Sequence, residues 1–188
     1  SSAASDVYKR QVNVSARQLQ SPGFVELVER VLKETRLEPR WLELELTETI
    51  FVDNASDNVR VLRRLADLGV SLAIDDFGTG HSSLSYLSNF SPRTLKIDRS
   101  FLSEAEDGSD NVVIARAIIA LGHGMGLNVV AEGVETEAQA DFLRGYGCDQ
   151  MQGFLLSRPQ PAERMEQWLR ARIQSQQSLE EAGRAAVF

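Results

Sequence analysis

The sequence contains few residues that bind soft or borderline metals. It has one cysteine, Cys148, and two histidines, His81 and His123, among its 188 residues. A lone cysteine cannot form an internal disulfide, and structural zinc sites take four cysteine or histidine ligands. The composition therefore excludes a domain held together by internal disulfides and a Cys/His zinc site. Any metal that this chain binds is expected to be held by oxygen atoms.

Long apolar runs and an excess of basic residues are also missing. No apolar stretch approaches the roughly 20 residues of a membrane-spanning helix, and the N-terminus lacks the apolar segment of a signal peptide. We therefore expect no membrane segment in this chain and a cytoplasmic location, although upstream segments could anchor the parent protein. The net charge of −7 argues against DNA binding, which needs a basic surface. An anionic ligand would require bridging cations.

The chain does contain a repeated alternation of strand and helix patterns. At 188 residues and 43% hydrophobic content, it has the size of one domain. Apolar spacing predicts strands at residues 12–15, 41–47, 70–75, 94–98 and 128–132. It predicts helices at residues 24–35, 57–68, 111–125, 137–146 and 162–173, with a further short segment at residues 152–156. Repeated strand–helix units imply a parallel sheet, because each helix must cross the sheet before the next strand begins.

Polar residues recur late in the predicted strands or just after them, at Asn13, Glu45, Asp75, Lys96 and Glu132. A closed barrel points all its strand ends at one face, whereas a doubly wound sheet spreads them along an edge. The pattern therefore favours an α/β fold of the TIM-like (β/α) barrel type. Because such a barrel typically needs about 250 residues, we expect this one to be incomplete and to lack the first strand–helix unit.

The composition changes at both ends of the chain. Residues 1–11 are small, polar or charged and run abruptly into the first predicted strand, so we interpret them as a non-native or disordered leader. Residues 12–173 are the partial barrel domain. Residues 174–188 are rich in Gln, Ser, Glu and Ala, which indicates a polar C-terminal tail without recognisable chemistry.

Acids on the predicted strands carry the chemistry. Alternation in residues 42–48 places Glu43, Glu45 and Thr47 on one face, which is either a barrel interior or the solvated face of an edge strand. The apolar strand that ends in Asp75 and Asp76 concentrates negative charge where burial is costly, so a cation is expected there. Mg²⁺ takes carboxylate, amide and water oxygens, and two such ions can clamp a phosphoryl group.

Three further charged residues extend this acidic pattern. Lys96 is unusual in a barrel strand unless it faces acids or a phosphate, or forms a simple salt bridge with Asp98 or a neighbouring strand acid. Glu132 ends another β-rich run and is a better candidate for a metal ligand than Glu135. Glu135 lies beyond that strand, where it could equally brace a loop or cap the next helix.

Six short motifs occur in a fixed order along the chain. Together they indicate a resemblance to a known family that no single motif would establish. They are Asn13-Val14-Ser15, Glu45-Leu46-Thr47-Glu48, Asp75-Asp76-Phe77-Gly78-Thr79-Gly80, Lys96-Ile97-Asp98, Glu132-Gly133-Val134-Glu135 and Gln152-Gly153-Phe154. Over roughly residues 12–173, the chain resembles the EAL-domain family. The resemblance implies a bacterial phosphodiesterase that hydrolyses cyclic di-GMP to linear pGpG with two Mg²⁺ or Mn²⁺ ions.

The same resemblance implies a role for each matching residue. The two ions would be held by Asn13, Glu45, Asp75, Asp76 and Glu132. The catalytic residues would be Lys96, which orients the attacking water, Gln152, which holds a water, and Glu132, which completes the cluster. No nucleophilic side chain is needed, so Cys148 has no part in the reaction.

A loop and several partners also follow from the resemblance. Glu135 would anchor the loop of residues 77–83, which contains Gly78, Thr79 and Gly80. We interpret His81 as a surface residue of this loop rather than a ligand. Partners allowed by the resemblance are cyclic di-GMP itself, a second copy of the chain, and an upstream GGDEF or sensory domain in the parent protein.

One feature of the family is missing from the chain. The Glu-Ala-Leu tripeptide that names the family occurs nowhere in it, and its place would lie before residue 12. Because that glutamate binds metal in active members, we expect the fragment itself to be impaired. The leading hypothesis is a cyclic-guanylate-specific phosphodiesterase active in the parent protein. The alternatives are a catalytically inactive cyclic di-GMP receptor or protein-interaction module with an EAL fold, and an unrelated metal-dependent barrel hydrolase.

Overall fold

Six parallel strands form one sheet in the order in which they occur in the chain. The computed structural model describes residues 9–51, 55–80, 87–102, 110–161, 163–165 and 167. The strands are β1 (Arg10–Asn13), β2 (Leu42–Thr47), β3 (Ser71–Phe77), β4 (Thr94–Ile97), β5 (Asn128–Ala131) and β6 (Gln150–Met151). Residues 1–156 form one compact unit and residues 157–188 form a second, so the whole sheet belongs to the first unit.

Helices separate the strands along the chain. They are α1 (Ala16–Leu19), α2 (Phe24–Thr35), α3 (Ala55–Asp67), α4 (Leu87–Phe90), α5 (Asp110–Gly124) and α6 (Glu137–Gly145). Short 3₁₀ helices occupy Pro39–Trp41, Glu48–Phe51 and Arg99–Leu102. The predicted helix at residues 24–35 is confirmed at both ends. The helices predicted at residues 57–68, 111–125 and 137–146 are confirmed to within two residues at each end.

The sequence pattern predicts neither α4 nor β6. Strand β6 occupies Gln150–Met151, just before the predicted segment at residues 152–156. Two residues are too few to show a periodic pattern, and β6 exists because Gln150 pairs with Val130 and Met151 pairs with Ala131. Residues 163–165 and 167 of the predicted last helix are helical. The tail at residues 174–188 and residues 1–8 of the predicted leader lie outside the described residues.

The core lies between the sheet and its helices. On α2, Val25, Val28 and Leu32 are buried at helical spacing, and on α3 Leu62 and Leu65 are buried as well. Each fully buried leucine contributes roughly 1.5–3 kcal/mol relative to an exposed one. This packing fixes the strands in relation to each other, and therefore fixes the polar side chains that they carry at their ends.

Strand β1 overlaps the strand predicted at residues 12–15 and lies at an edge of the sheet that the described residues form. All four of its residues are exposed, and Val12 is 47% exposed. Among the described residues β1 pairs only with β2, where Asn13 aligns with Glu45. One side of the strand therefore faces solvent. The strand begins at Arg10, two residues before the predicted start of the domain.

The strand order and the alternation of strands and helices give the predicted TIM-like (β/α) barrel architecture in part. Within the described residues the sheet has six strands, with β1 and β6 at its edges, where a complete barrel has eight. In the portion of the chain that is described, no helix combines the length and the apolar character needed to span a bilayer.

Candidate active site

Four acids and one lysine meet at the carboxyl end of the sheet. Glu45 lies in β2, Asp75 and Asp76 lie near the end of β3, Lys96 lies in β4, and Glu132 follows β5. The predicted placement of these residues late in their strands, or just after them, is confirmed. Because the strands are parallel, their carboxyl ends lie on the same side of the sheet. We call these five residues the acidic cluster.

Lys96 is the centre of the acidic cluster. Its Nζ atom lies 2.8 Å from Glu45 Oε1, 3.1 Å from Asp75 Oδ1 and 2.6 Å from Glu132 Oε1. The lysine is only 3% exposed. Burial alone would lower the pKa of Lys96, but its contacts with Glu132 and Glu45 raise that pKa above its ordinary value. Lys96 therefore faces acids and forms salt bridges with acids of neighbouring strands, but with three acids rather than one and not with Asp98.

A bulge at the end of β3 brings two sequence neighbours into the same cluster. The pairing of β3 with β4 shifts register between Ile74 and Phe77, and Asp76 has a φ of 52°. This left-handed conformation costs about 1 kcal/mol in a residue that is not glycine. The Asp76 N–H donates to Asp75 Oδ1 at 3.1 Å. One carboxylate oxygen each from Asp75, Asp76 and Glu132 lies within 4.8 Å of the others.

Negative charge is in excess in this cluster, and the pKa values respond. Burial raises the pKa of Asp76, and the charges of Asp75 and Asp98 raise it further. Burial also raises the pKa of Glu45, although Lys96 opposes the shift. Glu45 is 6% exposed, and its Oε1 accepts no hydrogen bond from any described residue. Its 2.8 Å approach to Lys96 Nζ is an ion pair without hydrogen-bond geometry.

These features fit an oxygen-bound divalent cation. Two carboxylates about 4 Å apart repel by about 4 kcal/mol at an effective dielectric constant of about 20, and one ammonium group cannot balance four acids. Carboxylate oxygens are the ligands that Mg²⁺ and Mn²⁺ prefer. Glu45 Oε1, which lies beside Lys96 Nζ but accepts no hydrogen bond from the described residues, is a further candidate ligand atom.

The loop after β3 is bound by Glu48, which the sequence analysis did not single out. The Gly78 N–H donates to Glu48 Oε1 at 2.9 Å. A Cβ atom on Gly80 would lie 2.9 Å from Glu48 Oε2, so glycine permits this close approach. Thr79 Oγ1 donates to the Asp76 carbonyl at 2.8 Å. The signal for Glu48 was present in the sequence, since it is an acid directly beyond the end of β2.

Glu135 is exposed at the start of the next helix. Glu135 was expected either to brace a loop or to cap this helix. The residue that caps the helix is its neighbour Thr136, whose Oγ1 accepts from the Gln139 N–H at 3.2 Å. The Glu135 N–H itself donates to Gln139 Oε1 at 2.7 Å. Residues 81–86, including His81, lie outside the described residues. Anchoring of the loop by the Glu135 side chain therefore stays a prediction.

Comparison with known proteins agrees with this geometry. The family model described as EAL domain matches residues 2–159. The chain belongs to the EAL domain family. This confirms the family resemblance carried by the six sequence motifs. The matched range of the EAL domain begins within the predicted leader and ends before the predicted tail.

Similar proteins show how much of an EAL protein the chain represents. It is 47% identical over 158 residues to the signaling protein YkoW of Bacillus subtilis, covering 84% of this chain and 20% of YkoW. It is 48% identical over 154 residues to the bifunctional diguanylate cyclase/cyclic di-GMP phosphodiesterase MucR of Pseudomonas aeruginosa, covering 82% of this chain and 22% of MucR. The chain therefore spans about a fifth of the length of these curated relatives.

A solved structure supports the same fold for this EAL domain. The structure of the PaMucR phosphodiesterase in complex with c-di-GMP superposes with a TM-score of 0.80 at 47% identity. The match covers 84% of this chain and 70% of that one. The partial TIM-like barrel seen here is therefore the architecture of EAL domains.

Two more predicted residues of the EAL domain, Asn13 and Gln152, lie at the same end of the sheet. Asn13 ends β1 and aligns with Glu45. Gln152 follows β6; its N–H donates to the Ala131 carbonyl at 2.8 Å, and its carbonyl accepts from the Val134 N–H at 3.0 Å. These bonds hold Gln152 beside the end of β5. The roles of both side chains stay predictions.

Proposed function

We propose that the parent protein of this EAL domain hydrolyses cyclic di-GMP to linear pGpG in bacterial second-messenger signalling. The observation that carries the proposal is the arrangement of three acids around the buried Lys96 ammonium group, with Asp76 beside them. The similarity to MucR supports the substrate, because MucR is described as a cyclic di-GMP phosphodiesterase and the PaMucR structure contains c-di-GMP.

The proposed cofactors are two Mg²⁺ or Mn²⁺ ions. The residues that would hold them are Asn13, Glu45, Asp75, Asp76 and Glu132. When bound, such ions neutralise phosphate charge and lower the pKa of a coordinated water. The chain determines where the ions would bind, because the bulge in β3 and the packing of four strands hold the acids in place before any ligand binds.

Lys96 is proposed to act as a fixed hydrogen-bond donor. Its pKa is raised by the surrounding acids, so it stays protonated near neutral pH and cannot serve as a general base. A buried ammonium group at this place can orient the attacking water and stabilise negative charge on the phosphate. Gln152, which directly follows β6, is proposed to hold a water.

The parent protein is proposed to be larger than this chain. The relatives are about four times as long as this chain, and the description of MucR includes a diguanylate cyclase. An upstream GGDEF or sensory domain, a homodimer and a cytoplasmic location complete the proposal.

The direct test measures pGpG release from cyclic di-GMP by the purified full-length parent protein, with Mg²⁺ or Mn²⁺ and with EDTA. We expect metal-dependent release that Glu45→Gln abolishes, while Glu29→Gln, at an exposed position on α2, retains it. Binding of cyclic di-GMP without pGpG release would refute the enzymatic proposal and support the receptor alternative. Neither binding nor release would refute both.

A further inference from the structure

A second buried carboxylate lies on the same strand as Glu45 and on the same face, two residues earlier. Glu43 is 1% exposed. Its Oε2 accepts hydrogen bonds from Lys9 Nζ at 2.5 Å and from Thr94 Oγ1 at 2.9 Å, and its Oε1 accepts from Gln11 Nε2 at 3.3 Å. Both carboxylate oxygens are thus satisfied. We call Glu43 and these three partners the lower layer.

The contact between Glu43 and Thr94 crosses a strand. Thr94 belongs to β4 and Glu43 to β2, so their side chains meet over β3. On β3, Ser71 pairs with Glu43, and Ala73 pairs with Glu45 on one side and with Thr94 on the other. Ala73 shares a face with Asp75, because alternate residues of a strand point to the same side. A methyl group at this position leaves room for the longer side chains to meet.

The same crossing occurs again two residues along each strand. Lys96 of β4 meets Glu45 of β2 at 2.8 Å, as Thr94 meets Glu43 at 2.9 Å. Two contacts with the same offset in both strands resist sliding and rotation of β2 against β4. The lower contact is a hydrogen bond to a fully satisfied carboxylate, whereas the upper contact lacks hydrogen-bond geometry.

We propose that Glu43 and Thr94 are positioning residues for the acidic cluster. Their hydrogen bond sets the distance between β2 and β4 and so holds Glu45 and Lys96 in the geometry that receives a divalent cation. The inference rests on the proposed function, because it assigns the acidic cluster to metal binding. Neither residue touches the cation or the substrate, and both act through the residue two positions further along their own strand.

The test replaces the Thr94 hydroxyl with a methyl group and measures Mn²⁺ affinity. In Thr94→Val, we expect Mn²⁺ to bind about tenfold more weakly, which is the size of effect found for residues that orient metal ligands. Thr94→Ser keeps the hydroxyl and is expected to restore the affinity. Thr35→Val makes the same chemical change at the exposed end of α2 and is expected to leave the affinity unchanged. Affinities are measured by the Mn²⁺ EPR signal on samples with matched circular dichroism.

The outcomes separate this inference from the proposed function. Wild-type affinity in Thr94→Val would overturn the inference while leaving the phosphodiesterase proposal intact. Absence of Mn²⁺ binding and of pGpG release in the wild-type parent protein would overturn the proposed function, and the inference with it. Should Thr94→Val fail to fold, Glu43→Met decides, since its side chain has a similar length but no oxygen that accepts from Thr94, and the same tenfold weakening is expected. Unchanged affinity in Glu43→Met would then refute the positioning role.

Discussion

Glu43 and Glu45 lie on the same face of one strand, yet their surroundings differ. Glu43, in the lower layer, accepts hydrogen bonds from a lysine, a glutamine and a threonine. Glu45, in the acidic cluster, shares one lysine with Asp75 and Glu132. Burial is similar for the two residues, at 1% and 6% exposure. The difference therefore lies in their partners.

The two layers consequently serve different purposes. A buried carboxylate with a cation and two neutral donors is stable by itself and fixes the strands that it joins. A buried cluster with four acids and one ammonium group retains uncompensated charge, which a metal ion can neutralise. Within one barrel interior, the balanced layer is structural and the unbalanced layer is the candidate site.

The largest expected effect comes from removing the one cation of the acidic cluster. Lys96→Ala leaves Glu45, Asp75 and Glu132 without their shared partner, so we expect turnover to fall by about 1,000-fold and metal-free stability to fall by about 3–5 kcal/mol. Lys33→Ala, which removes an exposed lysine paired with Glu29, is expected to change stability by less than about 0.5 kcal/mol. Turnover and urea unfolding are measured. Near-normal turnover in Lys96→Ala would refute its assigned role.

The next effect is stabilisation by the metal itself. If the acidic cluster binds Mn²⁺ and the unfolded chain does not, a concentration 100 times the dissociation constant stabilises the fold by about 2.7 kcal/mol. For a chain of this size that raises the melting temperature by about 5–10 °C. Differential scanning calorimetry with Mn²⁺ and with EDTA measures the shift.

Neutralising the acids should remove that shift. The double variant Asp75→Asn and Asp76→Asn is expected to melt at the same temperature with and without Mn²⁺, while Glu29→Gln on the surface keeps the wild-type response. An equal response in the double variant and the wild-type protein would place the metal elsewhere.

The sequence predicts the bounds of a helix well when the buried residues of that helix form a regular apolar stripe. Helix α2 has the predicted bounds because Val25, Val28 and Leu32 form a complete apolar stripe. Strand β6 was not predictable, because its two residues become a strand only by pairing with Val130 and Ala131. Local pattern thus determines amphipathic helices, whereas short strands depend on distant neighbours.

The acids of the candidate site were predictable, but their contacts were not. Placement at strand ends and the order of motifs identified Glu45, Asp75 and Asp76. The left-handed backbone of Asp76 and the contacts of β2 side chains with β4 side chains across β3 depend on the twist and register of the whole sheet. Glu48 closes the second of the six motifs, but nothing in the sequence assigns it the hydrogen bond that it accepts from the Gly78 N–H.

Glu48, just after β2, is a third acid that can be compared with Glu43 and Glu45, and its removal is expected to have a smaller effect. Glu48→Ala removes the acceptor of the Gly78 N–H, which loosens the backbone that follows Asp76. We expect kcat/KM to fall about tenfold, equivalent to about 1.4 kcal/mol. Glu38→Ala, which removes an exposed acid paired with Arg40, is the matched control. Unchanged kcat/KM in Glu48→Ala would show that the loop does not depend on this contact.

The smallest effect tests the comparison most directly, because it predicts opposite signs. Glu43→Gln removes a charge that is fully matched, and we expect it to destabilise the metal-free protein by about 1–2 kcal/mol. Glu45→Gln removes a charge that is not matched, while Lys96 keeps Asp75 and Glu132. We expect this variant to be about 1 kcal/mol more stable than the wild-type protein at pH 7 without metal. Urea unfolding in EDTA measures both differences.

The pH dependence of stability explains why Glu45→Gln is expected to stabilise the metal-free protein. Burial raises the pKa of Glu45 above its ordinary value of 4.5, so the folded chain binds this proton more tightly than the unfolded chain does. Stability from this group is therefore present below pH 4.5 and is lost as the pH rises through the higher folded pKa. The glutamine of Glu45→Gln stays neutral at every pH. The free energy of unfolding of this variant should therefore exceed that of the wild-type protein by an amount that grows from pH 4.5 to pH 7. An advantage that is absent or that shrinks over this range would mean that Glu45 is as well compensated as Glu43, and the distinction between the two layers would fail.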